Sequence, residues 1–332
     1  MIALDANGAD RGARTVAEGG ASAGVPVTIF GPAAELDGFE NVVDAPVAVT
    51  NDEDPAHGVR SKPESSIVQA AKAVADGRAG AFVTPGNTGA ALAAGLFHLK
   101  RIRGVHRPAV AVRIPVPGRP VLLLDAGANV ESRPEWLVQF AHMGAAYMEA
   151  VHGVERARVG LLSVGEEAKK GTEAVVEANR VLSEAALDFA GNVEGNDITA
   201  GTVDVVVTDG FTGNVALKAI EGTATTVMRT VRDTVRSGVV STLGGLLIRG
   251  KVGRLRAEFD QDAVGAGILL GLRGLGFVTH GNASAAGVAT AVRLAQHAAD
   301  EGVVERTQAA LEASGALAPA ASAPAVSVGD RS

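Results

Sequence analysis

The chain has 332 residues, 47% of them hydrophobic, enough for a well-buried core in one large domain or two lobes. It contains no cysteine, which excludes disulfides, thiolate metal sites, iron–sulfur clusters and a cysteine nucleophile. A net charge of -7 with 3% aromatic residues argues against a broad nucleic-acid surface.

No apolar run reaches the ~18 residues that a spanning helix needs. The opening Met1-Ile2-Ala3-Leu4-Asp5 meets an acidic residue at once and has no basic stretch before it. No secretory signal is legible, so a cytoplasmic location is the expectation.

From the start, short apolar runs alternate with amphipathic stretches. The pattern predicts a strand at Ile2–Leu4, a helix at 12–23, a strand at Val27–Phe30 and a helix at 64–77. A strand at Gly80–Thr84, a helix at 88–102 and strands at Val110–Arg113 and Val121–Leu124 come next. A helix at 134–151 carries Leu137, Phe140, Ala141, Met143, Gly144 and Tyr147 at helical spacing. Then come a strand at Val159–Ser163, a helix at 169–186, strands at Leu187–Ala190 and Val203–Thr208, and helices at 214–236 and 284–299. Such alternation predicts an α/β fold, a mostly parallel sheet with helices on both faces. Residues 1–315 are read as a single catalytic domain. Residues 316–332, rich in Ala, Ser and Pro, are expected to be a disordered tail.

Six of the predicted strands run directly into a polar loop rich in glycine. The loops are Asp5-Ala6-Asn7-Gly8-Ala9-Asp10, Thr84-Pro85-Gly86-Asn87-Thr88-Gly89 and Asp125-Ala126-Gly127-Ala128-Asn129. Three more are Ser163 to Gly171, Gly191 to Asp197, and Thr208-Asp209-Gly210-Phe211-Thr212-Gly213-Asn214. In a parallel sheet the strand ends share one edge, so all six loops are expected to converge on one cleft. Glycine admits close backbone approach, and helix starts suit phosphate. Taken singly, each loop is more simply a turn or a helix cap.

Other motifs can be set aside. Gly20-Ala21-Ser22-Ala23-Gly24 precedes a strand, whereas a nucleophile elbow comes after one. Gly245 to Lys251 lacks the Ser/Thr and the leading strand of a P-loop. No G-x-G-x-x-G and no H-E-x-x-H occurs, and the seven His are scattered.

As an ordered set the six loops closely resemble the PlsX-type acyl-ACP:phosphate acyltransferases of bacterial phospholipid synthesis, over about residues 1–300. The resemblance implies that inorganic phosphate attacks the thioester of acyl carrier protein, giving acyl phosphate. It also implies a homodimer and a Rossmann-like fold akin to the phosphate acetyltransferase and isocitrate dehydrogenase type. Lys170 and Asn214 match the family's catalytic positions. Lys170 suits neutralisation of phosphate or oxyanion, and Asn214 suits oxyanion donation. Their structural alternatives are a solvated helix lysine and an N-cap. Asn87, Thr88 and Gly89 are expected to line the phosphate end. Asp5, Gly86, Asp125, Asn129, Glu166, Asn192, Glu194, Asp209 and His280 complete the candidate substrate and phosphate site. No cofactor and no metal is expected.

The chain departs from the family pattern at Asn7-Gly8-Ala9-Asp10, Thr84-Pro85, Val264 to Ile268 and His280 to Ser284. Those changes bear on the acyl-pocket wall and His280, not on Lys170 or Asn214. A protruding helical hairpin is read at about 229–256, its basic residues flanking an apolar tip, Val239 to Ile248. It suits peripheral contact with an anionic membrane, docking of the acidic carrier protein, or a dimer interface. The competing functions are a short-chain phosphate acetyltransferase and a non-catalytic paralogue that binds carrier or membrane.

Overall fold

A sheet buried on both faces needs apolar residues at every position of its strands, sent alternately to two cores. The computed structural model, which describes residues 1–50, 52–116, 120–258 and 265–317, shows this pattern. In β1 (Ile2–Asp5), Ile2 and Leu4 enter one core and Ala3 the other. In β4 (Ala81–Thr84) and β6 (Val121–Leu124) the same alternation sends Val83 and Leu124 one way, Phe82 and Leu123 the other.

Between β1 and β4 lie α1 (Ala13–Ser22), β2 (Val27–Gly31), β3 (Val42–Asp44), α2 (Pro55–Ser61) and α3 (Ser66–Ala75). α4 (Thr88–Ala94) and β5 (Ala109–Ile114) precede β6. α5 (Pro134–His152), β7 (Arg158–Leu162), α6 (Glu173–Leu182), β8 (Asp188–Val193), α7 (Gly195–Ala200) and β9 (Val205–Val207) come after it. Two long helices, α8 (Gly210–Val235) and α9 (Val239–Glu258), form a hairpin. The described chain closes with β10 (Gly267–Leu270), β11 (Leu275–Val278), α10 (Ala285–Asp300) and α11 (Val303–Ser314). Helices α1, α5, α6, α10 and α11 cover one sheet face. Helices α3, α4, α7 and the start of α8 cover the other.

The described strands form one sheet in the order β3-β2-β1-β4-β11-β10-β5-β6-β9-β7-β8. Most pairs are parallel, as expected. Three in the middle are antiparallel: β11 with β10, β10 with β5, and β5 with β6. Direction therefore reverses across the centre. β3, β2, β1, β4, β11 and β5 run one way; β10, β6, β9, β7 and β8 run the other.

That reversal corrects the expectation of a single rim. The loops after β1 and β4 leave one edge of the sheet. The loops after β6, β7, β8 and β9 leave the opposite edge. Local patterning reports that a segment is a strand, whereas strand direction is set by long-range pairing.

β3, β10, β11, α2, α7 and α11 were not expected. β10 and β11 pair with β5 and β4, more than 150 residues earlier in the chain, and the glycines around them dilute the apolar pattern. Gly302, at φ +63, separates α11 from α10. The hairpin turn lies at 236–238, so the expected apolar tip forms the first half of α9. Among the described residues no helix is long and apolar enough to cross a membrane. At the expected tail, Ala316 accepts a hydrogen bond from Gln139 at 2.8 Å, and Leu317 packs on the core. The rest of that tail, 318–332, and Val264 lie outside the described residues.

Candidate active site

A carboxylate removed from water needs a donor for each lone pair, and Asp125 has them. Its Oδ1 accepts from the backbone N–H groups of Val110, Gly127 and Ala128 at 2.9–3.1 Å. Its Oδ2 accepts from the Asn129 backbone and side-chain amides, both at 2.8 Å. Burial still pushes its carboxyl above the ordinary value against those bonds. With no exposed surface, Asp125, expected at the substrate site, spends its side chain folding the 125–129 loop. Asn129 is likewise committed, donating to Pro108 O and accepting from the Gly210 N–H.

Onto this loop sits the first turn of α8. Asp209 caps the helix, accepting from Thr212 N at 2.8 Å and Thr212 Oγ1 at 2.7 Å. A Cβ at Gly213 would collide with Asp125 O, so glycine is what lets the helix seat there. Gly127, at φ +135, has the Asn214 side chain 3.7 Å from where its Cβ would stand. Asn214 is the fifth residue of α8, exposed, and not its N-cap. Its backbone N–H belongs to the helix, which leaves the side-chain amide to donate outward.

β9 and β7 are neighbours, so the Lys170 loop stands beside the start of α8. Thr172 caps α6, accepting from Val175 N, which leaves Lys170 in the preceding loop and not on a helix. Buried Asn192 holds that loop: its Nδ2 donates to Glu167 O at 2.9 Å and Lys170 O at 3.3 Å. Asn179 Nδ2 in turn donates to Asn192 Oδ1 at 2.9 Å. Asn192, expected at the substrate site, thus positions the loop that bears Lys170. Glu194 caps α7 with Asp197. Glu166 and Lys170 are exposed.

On the other edge, Asp5, Asn7, Thr50, Ser66, Thr84 and Asn87 line a small pocket of about 170 Å³. Asp5 accepts from Asn7 N at 3.1 Å and Thr84 Oγ1 at 2.8 Å. Burial raises its pKa to about 6, against lowering by Ser66, Thr84 and Asn7. Asn87 caps α4, accepting from Ala90 N, with Gly86 before it and Thr88 and Gly89 in the first turn. Among the described residues no lysine or arginine lines this pocket. An ionised Asp5 at its floor opposes a phosphate dianion, so charge disfavours the phosphate role expected of Asn87, Thr88 and Gly89.

α8 touches both edges. Seven residues beyond Asn214, about 10 Å along the helix, Glu221 Oε1 lies 3.4 Å from His280 Nε2. Half-burial pushes Glu221 up, but bonds from His280 and Lys218 outweigh it and hold it below the ordinary carboxylate value. Beside this pair opens an apolar groove of about 690 Å³ between the end of β5 and the hairpin. Sequence reading missed Glu221 and the groove. The signal was the seven-residue spacing of Asn214, Glu221, Met228 and Val235 on one helix.

The description "Fatty acid synthesis protein" names the family model that matches residues 1–306. A phosphate acyltransferase from Gloeobacter violaceus is 42% identical over 323 residues, covering 92% of this chain and 95% of that protein. One from Anoxybacillus flavithermus is 39% identical over 316 residues, covering 92% and 96%. Among solved structures, a phosphotransacetylase from Staphylococcus aureus matches with TM-score 0.55 at 14% identity, covering 90% of this chain and 94% of that one. That likeness establishes a shared α/β fold, as the loop pattern implied. By the extent of these matches, the chain belongs to the fatty acid synthesis protein family, alongside these phosphate acyltransferases.

Proposed function

We propose that this chain transfers a long-chain acyl group from acyl carrier protein to inorganic phosphate, with the chemistry at the loops after β6, β7 and β9. The observation that carries this placement is the seating of α8 on the 125–129 loop. It presents the Asn214 side chain outward beside the loop that bears Lys170. Phosphate is its own nucleophile. Its oxygen attacks the thioester carbonyl, a C–O bond forms, the C–S bond breaks, and the phosphate proton ends on the thiol. No acyl-enzyme is needed, in keeping with a chain that has no cysteine. Asn214 donates to the oxyanion as it develops, and Lys170 neutralises the phosphate. The pocket at Asn87 holds no phosphate in this reading.

The remaining parts of the reading come from the family. The chain works as a homodimer in which residues 1–315 act as one catalytic unit, and α9 touches the anionic membrane that receives the product.

Phosphate-dependent loss of acyl-carrier thioester tests the proposal. Asn214→Ala is expected to lower kcat by about 10²–10³-fold, as for loss of one oxyanion donor. Lys170→Ala is expected to raise the KM for phosphate more than it lowers kcat. Wild-type rates in Asn214→Ala would remove the assignment.

A further inference from the structure

We infer that the groove between the end of β5 and the α8–α9 hairpin holds the acyl chain, and that Ala224 and Gly253 on its two walls set the chain length accepted. The inference rests on the acyl-transfer reading above. Steps of seven residues place Asn214, Glu221, Met228 and Val235 on one face of α8. The last three line the groove, and Leu217, one turn past Asn214, is where its α8 wall begins. A chain whose carbonyl sits at Asn214 therefore enters the groove without turning. From Asn214 to Met228 the helix rises about 21 Å, the reach of a long-chain fatty acyl group and far beyond that of an acetyl.

The surface suits that occupant. Val112, Ile114, Ile220, Met228, Val231 and Ile248 supply a mostly apolar lining. Arg229, Arg232 and Arg249 also border the groove and are exposed, an arrangement in which long stems cover apolar surface while the heads stay in water. Near the start of the groove the chain passes Glu221, whose carboxylate is paired with Lys218 at 2.9 Å and lies 3.4 Å from His280 Nε2. Among the described residues Gly253 on α9 has nothing within 4 Å of where its Cβ would stand, so a side chain added there meets no described wall of the groove. Ala224 is a small residue on the α8 wall of the same groove.

Two readouts test this, one of which does not need turnover. The fluorescent long-chain cis-parinaric acid is titrated into wild type, Ala224→Leu and Gly253→Leu. In parallel, kcat/KM is measured with hexanoyl- and palmitoyl-carrier protein. We expect saturable probe binding to wild type, and a palmitoyl-to-hexanoyl ratio lowered about tenfold or more in each variant, the discrimination a few methylenes provide in an apolar pocket. Unchanged probe binding together with an unchanged ratio, in variants with wild-type circular dichroism, would overturn the inference. So would a change of oligomeric state by light scattering with the ratio unchanged, since the groove would then be covered by a second copy of the chain. Wild-type protein that consumes no thioester would refute the acyl-transfer reading instead, and probe binding alone would then decide the groove.

Discussion

Asp5 is fully buried, and burial dominates its ionisation. A folded-state pKa of about 6, above the ordinary 3.8, means the native state prefers the protonated acid. The associated stability is complete below the unfolded value and is lost as pH rises through about 6. The gap corresponds to on the order of 3 kcal/mol. Asp5→Asn removes the titration, so the variant is expected to gain on wild type in unfolding free energy between about pH 4 and about pH 8. Denaturant titration at the two ends checks this, and a constant difference between the proteins would contradict it. At the same scale, Asp125 and Asn192 show how a loop motif misleads. Both stand in polar strand-end clusters, yet Asp125 spends its oxygens on its own loop and on Val110 of β5, and Asn192 spends its side-chain amide on the Lys170 loop and on Asn179 of α6. Sequence separates a ligand from a loop-builder poorly, because both need the same residue types.

Among the elements, the α8–α9 hairpin carries the clearest surface signal. Val239, Val240, Leu243 and Leu247 lie on α9 at 80%, 84%, 59% and 89% exposure. Isolated apolar residues on a surface are ordinary, whereas a stripe of four on one helix is not. Arg236 and Arg249 stand at either end of that stripe, and Arg229 and Arg232 on the partner helix. An apolar stripe with basic flanks suits the headgroup region of an anionic bilayer. Leu243→Glu with Leu247→Glu is therefore expected to abolish co-sedimentation with phosphatidylglycerol vesicles. The wild-type protein should bind these vesicles and leave phosphatidylcholine vesicles untouched. Equal sedimentation of wild type and double variant would assign the stripe to another surface. α9 also shows where periodicity falls short: the apolar run was legible, but its place inside a helix depends on a turn at 236–238.

Across the whole molecule, β11 and β10 join the two oppositely directed halves into one sheet. Phe277 of β11 has no exposed surface and belongs to the larger core. Phe277→Ala is expected to cost about 3–5 kcal/mol. Because the sheet is continuous, the loss should appear as a single shifted unfolding transition by calorimetry. Two separated transitions would show that the halves fold independently.

Most of the strands, most of the helices and the polar loops were determined by the sequence by itself, because period-two burial, period-3.6 amphipathicity and glycine-bearing turns are local properties of the chain. The order of the six loops likewise carried the family. Only the tertiary structure decided that these loops divide between two edges and that α8 bridges them. It also decided which of their carboxylates and amides are consumed internally. Direction, adjacency and burial are settled by pairings between strands more than 150 residues apart, and no window along the chain contains them.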